Sequence, residues 1–93
     1  MKAIWNGKII AESSQTVNIE GNQYFPFEAV NIEFLNKSST QSVCPWKGTA
    51  SYYDIVVEGK TNKDAAWYYS NPSALAAKIK NYIAFWRDVQ VIE

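Results

Sequence analysis

The chain has no histidine and only one cysteine among its 93 residues. Without His, the commonest metal ligand and the side chain best suited to general-base work near neutral pH are both missing. A single thiol, Cys44, excludes an intramolecular disulfide and any Cys-rich zinc site. No metal and no cofactor are therefore expected, since carboxylates and carbonyls alone suit only weak binding of hard cations. Glycine and proline are sparse, at four and three residues, which rules out a fibrous or low-complexity chain. Charge of one sign is also missing: nine Lys/Arg balance nine Asp/Glu. The basic residues run from Lys2 to Arg87 without a cluster, whereas nucleic-acid binders concentrate them on one face, so no nucleic-acid partner is expected. No window approaches the ~20 apolar residues that span a bilayer, and residues 1–7 lack the apolar core of a secretory leader. The expectation is no membrane partner and, by default, a cytoplasmic location.

What is present describes a folded globule. Hydrophobic residues make up 47% of the chain, and fourteen aromatics, four of them Trp, can fill much of a small core. Each large ring buries roughly 150–250 Å². The length suits one domain, 1–93, and not two.

Punctuation places the elements. Asn6-Gly7 separates candidate strands at 2–5 and 8–11, because both central positions of a type I′ turn need positive φ. Glu20-Gly21-Asn22 does the same between 16–19 and 23–25, and Pro26 stops the second strand. Residues 31–35 alternate as a strand would, and the polar stretch 36–42 reads as a loop. Residues 51–57 and 65–69 are β-prone around Glu58-Gly59-Lys60, and 89–92 reads as a closing strand. Asn71-Pro72 is a helix start signal, and Leu75, Ile79, Tyr82, Ile83 and Trp86 fall at helical spacing, which predicts one helix over about 73–85. The fold class is mainly β (α+β), in antiparallel hairpins.

Chemistry concentrates in Cys44-Pro45-Trp46-Lys47-Gly48. One reading is a tight connection with a solvated Lys47. The other sets Lys47 at the mouth of a ring-walled pocket, where desolvation would lower its pKa and it would meet an anionic ligand. Cys44 has no His to activate it and reads first as a buried structural thiol. Trp67 and Tyr69 share one side of a strand while Tyr68 takes the other, and Tyr52 and Tyr53 divide likewise. Asp54 and Asp64, the acids nearest these rings, are expected in solvent. No two acids in the chain are adjacent or separated by one residue, so the paired carboxylates of two-metal nucleotidyl transfer are absent.

The order of Tyr24-Phe25-Pro26, then Ser42-Val43-Cys44-Pro45-Trp46-Lys47-Gly48-Thr49-Ala50-Ser51-Tyr52-Tyr53, then Ala65-Ala66-Trp67-Tyr68-Tyr69 and Pro72 resembles a small bacterial family. That family is domain of unknown function 427 (DUF427), also labelled nucleotidyltransferase-like, and the resemblance covers nearly the whole chain. It implies a strongly bent antiparallel sheet of the Mss4-like, β-tent kind found in zinc-binding Mss4-like domains and methionine sulfoxide reductases. The paired Cys-x-x-Cys ligands of those zinc domains are missing, so no metal carries over. Phe27 stands where the family often has a charge, and Ser42 where it often has Thr.

Three functions follow as expectations. The first is a domain binding a small ligand, an anion among the candidates, in a pocket of Lys47, Tyr52, Trp67 and Tyr69 with Cys44 nearby. The second is an enzyme using Lys47 or Cys44 on a small anionic or carbonyl substrate. The third is a protein-interaction or homodimerisation module using exposed strands.

Overall fold

The computed structural model describes all 93 residues. Strand accounts for 58% of them and helix for 13%, and every helical segment is a short 3-10 turn. The fold is thus mainly β, and its sheets are antiparallel. Three sheets share the work. Strands β1 (Lys2–Trp5) and β2 (Lys8–Glu12) form a hairpin with β9 (Gln90–Ile92) along the free side of β1. Strands β3 (Val17–Ile19) and β4 (Asn22–Tyr24) form a hairpin of their own. The main sheet has the order β5 (Leu35–Cys44), β6 (Gly48–Val57), β7 (Lys60–Tyr68) and β8 (Ile83–Phe85).

The expected turns form for the expected reason. Asn6 and Gly7 take φ of 50° and 78°, and Glu20 and Gly21 take 56° and 82°. Two consecutive positive φ values are the type I′ geometry whose twist matches the flanking strands. Glu58 and Gly59 repeat it between β6 and β7.

Bulges interrupt the main sheet on both sides of β6. Lys37 pairs with Tyr53 and Gln41 with Ser51, so β5 carries extra residues around Ser38–Thr40. On the other flank, Tyr53 pairs with Ala66 and Ile55 with Asn62, so β7 carries extra residues around Asp64, whose φ is +55°. Bulges increase local twist and bend the strand that holds them.

Three expectations fail, each for a physical reason. Residues 31–35 are not a strand: Ile32–Phe34 is a 3-10 turn and Ile32 stays exposed. The stretch 36–42, expected as a loop, is the body of β5. It is an edge strand wetted along most of its length, so its backbone pairs with β6 while its side chains remain polar. The helix over about 73–85 is also corrected. A 3-10 segment, Ala74–Ile79, starts after Asn71-Pro72, loses helical geometry at Ala76 and ends before Asn81, whose φ is +63°. Leu75 is left 79% exposed. Ile83, Ala84 and Phe85 are all buried as β8, where they pair with Tyr68, Trp67 and Ala66. A short apolar run fits a strand buried on both faces as well as it fits a helix, and the open edge of β7 decides the matter.

Two apolar clusters result. The larger holds Ile10, Phe25, Ile55, Val57, Ile83 and Phe85 among its members. Phe25 and Phe85 meet edge to face at 5.6 Å. The smaller gathers Tyr24, Ala50, Tyr69, Ala76, Ile79 and Ala84, with Trp46, Tyr52 and Trp67 packed against it. Reciprocal bonds of 2.8 Å between the Phe25 and Ile83 backbones fasten the end of β4 to β8. They bring the β3–β4 hairpin to the side where the smaller cluster lies. No helix is long and apolar enough to cross a membrane.

Candidate functional site

The turn Pro45-Trp46-Lys47 closes the β5–β6 hairpin, with Cys44 opposite Gly48. Gly48 is required here. Its φ is +116°, and a β-carbon would lie 3.4 Å from the Asn71 carbonyl oxygen and 3.6 Å from Pro72 Cα. The same close approach lets the Ser73 amide donate to the Lys47 carbonyl at 2.9 Å and the Ser73 hydroxyl to the Trp46 carbonyl. The turn is therefore clamped against residues 71–73, and Lys47 has a fixed origin.

From there the Lys47 side chain runs inward and is only 6% exposed. Its ammonium donates to Glu20 Oε1 and lies 3.7 Å from Cys44 Sγ. It also sits 4.8 Å from the Trp46 ring centroid and 5.9 Å from that of Tyr69, where the ring faces attract a cation. Glu20 arrives from the β3–β4 turn, and its other oxygen accepts the Trp46 indole N–H at 3.3 Å. The expected loss of basicity is reversed. Burial does push the Lys47 pKa down, but the hydrogen bond to Glu20 and the surrounding tyrosines and Cys44 outweigh it, and the value rises. Lys47 is a held ammonium rather than a free amine, and its partner is Glu20. The Lys47 and Trp46 hydrogen bonds in turn hold the Glu20 carboxyl below its usual range.

A concavity of about 300 Å³ opens beside this cation. Lys47, Tyr52, Trp67 and Tyr69, the four residues expected to share a pocket, all line it. Asn22, Tyr24 and Trp86 complete the wall. Trp67 sits between two rings, edge-on to Tyr24 at 6.2 Å and to Trp86 at 5.8 Å, and its indole N–H donates to the Tyr24 hydroxyl at 3.3 Å. Tyr52 shares a 2.8 Å hydrogen bond with Ser42. Burial pushes the Tyr69 hydroxyl up to about 12 and raises that of Tyr24 as well, so both are neutral donors at physiological pH.

Cys44 is half-buried beside the cavity rather than in its wall, and it is not the fully buried thiol expected. Burial pushes its pKa up, but the backbone N–H groups of Lys47 and Trp46 and the Lys47 ammonium more than offset this, and the thiol lies below its ordinary value.

Asp54 and Asp64 are not solvated surface acids. Asp64 is 8% exposed, and its carboxylate accepts from Ser38 at 2.5 Å and Thr40 at 2.8 Å across the β5 bulge. Asp54 Oδ1 accepts the Asp64 amide at 2.8 Å, and Lys63 lies 3.6 Å from Asp64 and 3.7 Å from Asp54. The Ser38 and Thr40 bonds and the Lys63 charge overcome burial and lower the Asp64 pKa. No three Cys, Asp or Glu side chains converge closely enough to share a metal ion.

A wider concavity of about 470 Å³ lies on the other face, around the stacked rings of Tyr53 and Tyr68, 5.0 Å apart, with Phe27 and Tyr82. Its charged members, Glu28 and Lys80, are exposed and form no ion pair. Size favours this hollow, but a recognition site needs polar groups held in place, and those are at Lys47.

Sequence reasoning missed Tyr24, Asn22, Trp86 and, most consequentially, Glu20. Tyr24 follows Asn22-Gln23 and precedes Phe25, with no apolar alternation to assign its face, and Trp86 was hidden by the helical reading. Glu20 carried no signal, because it meets Lys47 only when two hairpins 27 residues apart dock. A family model described as domain of unknown function (DUF427) matches residues 1–93, the whole chain. No curated protein matches the chain.

Proposed function

Because the chain belongs to the DUF427 family, whose description assigns no activity, we propose its function from the site: it binds a small anionic molecule in the concavity beside Lys47. One observation carries this reading. A nearly buried ammonium, fixed by its turn, borders a ring-walled cavity that Tyr24, Tyr52, Trp67 and Tyr69 supply with hydroxyls and flat apolar faces. Such a combination of apolar walls and a few placed polar groups is the usual make-up of a small-ligand site. The test is a thermal-shift screen of small acids read together with native mass spectrometry. Hits that raise the melting temperature of the wild type and fail on Lys47→Met support the reading, because ligand stabilisation follows occupancy. Hits equally strong on both proteins contradict it.

A second reading, an enzyme with Cys44 as nucleophile, is favoured by the lowered thiol pKa and the ammonium 3.7 Å away. An amine nucleophile at Lys47 is disfavoured, since its raised pKa keeps it protonated. Alkylation by iodoacetamide across pH 6–9 separates the cases: a reactive thiolate labels well below the ~8.5 of an ordinary thiol.

A further inference from the structure

Glu20 and Lys47 are unequal partners. The lysine side chain is 6% exposed and the glutamate side chain 54%. The lysine end is rigid: it belongs to the turn clamped by Ser73, and Trp46 beside it is fixed by the same contacts. The glutamate end is held by little else. It sits at the tip of a two-stranded hairpin, and its carboxylate bonds only to Lys47 Nζ and Trp46 Nε1. Each oxygen takes one donor, Oε1 the ammonium and Oε2 the indole N–H. Two donors on a clamped turn are thus filled by a half-exposed carboxylate from the chain itself.

We propose that Glu20 is an internal stand-in for the ligand, and that the site takes a small carboxylate bearing a planar apolar group, which displaces Glu20 from Lys47 and Trp46. This rests on the small-anion reading above and names the anion. The turn offers two donors, matching the two oxygens of a carboxylate. No arginine or multi-turn helix N-terminus is present there to receive the extra oxygens of a phosphate. The ligand exchanges with Glu20 rather than adding to it, because Lys47 is already neutralised and a second carboxylate would meet a like charge. The hairpin that carries Glu20 borders the same cavity, since Asn22, two residues beyond Glu20, lines it. Tyr52, Trp67 and Tyr69 supply faces on which a flat group can stack, and about 300 Å³ limits it to roughly one ring with its acid arm.

Phenylacetate tests this, with 2-phenylethanol as its neutral analogue and tryptophan fluorescence as the readout for wild type, Glu20→Gln and Glu20→Ala. Occupancy by an internal competitor reduces apparent affinity by the fraction of time the site is free, so both substitutions should tighten phenylacetate binding about tenfold. Binding of 2-phenylethanol should stay the same in all three proteins. Glu20 is exposed in a turn, and two different replacements guard against one of them misfolding. Phenylacetate that binds wild type and both variants equally, or the variants more weakly, overturns the stand-in while leaving the small-anion reading intact. If neither probe binds any of the three proteins, both the stand-in and the ring-walled site that it depends on are refuted.

Discussion

The two charged clusters of this protein are opposites in construction. At Lys47 the cation is buried and its carboxylate partner is half in water; at Asp64 the carboxylate is buried and its cation, Lys63, is exposed. Each Asp64 oxygen accepts one hydroxyl, from Ser38 or from Thr40, both on the strand next to β6, and Asp64 lines neither cavity. The Lys47 ammonium borders a cavity, and its partner comes from a separate hairpin. A buried charge closed on all sides by its own sheet is structural. A buried charge opened toward a ring-walled hollow and capped by a half-exposed carboxylate is the arrangement that the proposed binding function requires.

Substitutions can break this contrast. Asp64→Ala should have the largest effect on folding, since it strips two hydroxyls of their charged acceptor and places Ala at positive φ; about 2 kcal/mol is expected. In a domain of this size that lowers the melting temperature by roughly 10 °C. Calorimetry checks it, and a change within about 0.5 kcal/mol would class Asp64 with ordinary surface residues. Gly48→Ala should cost about 1–2 kcal/mol through strain at a left-handed φ against the Asn71 carbonyl. Lys47→Met should behave in the opposite sense to Asp64→Ala. Its stem is replaced by one of similar shape and Glu20 simply hydrates, so stability should fall by less than about 1 kcal/mol, while affinity for a carboxylate probe should drop about tenfold or more.

The pH profile sharpens the same contrast. Lys47, Tyr24 and Tyr69 all have folded-state pKa values above their ordinary ones. Their contribution is fully present below about pH 10 and is lost as pH rises through the folded values. Asp64 has a lowered value, so its contribution is present above about pH 4 and lost as pH falls through the folded value. Melting curves should therefore show Lys47→Met flattening the alkaline limb and, because Lys47 holds the Glu20 carboxyl below its usual range, part of the acid limb as well, while Asp64→Asn flattens the acid limb alone. The smallest effect is expected at Lys80, on the other hollow: Lys80→Ala should shift stability by no more than about 0.5 kcal/mol and leave ligand binding unchanged.

How legible each cluster was depended on the range of its contacts. Turns governed by local φ preferences, such as Asn6-Gly7 and Glu20-Gly21, are readable from two residues. The division of Tyr52 from Tyr53 and of Trp67 from Tyr68 follows from strand alternation, and the two hollows bear it out. Strand β5 was not readable, because an edge strand with both faces wet has no apolar alternation to display. Residues 83–85 carry an apolar run that either helix or strand can bury, and only the neighbouring strand resolves it. Ion pairing was the least legible. Nothing in the order of the chain pairs Lys47 with Glu20, which only the docking of a distant hairpin supplies.

The central question is which hollow binds. A two-dimensional amide NMR spectrum recorded while phenylacetate is added tests this residue by residue. The expected result is that shifts concentrate at Glu20, Lys47, Tyr52, Trp67 and Tyr69, with the Trp46 and Trp67 indole signals moving alongside. Shifts concentrated instead at Phe27, Tyr53, Tyr68 and Tyr82, with Lys47 and Glu20 still, would contradict it.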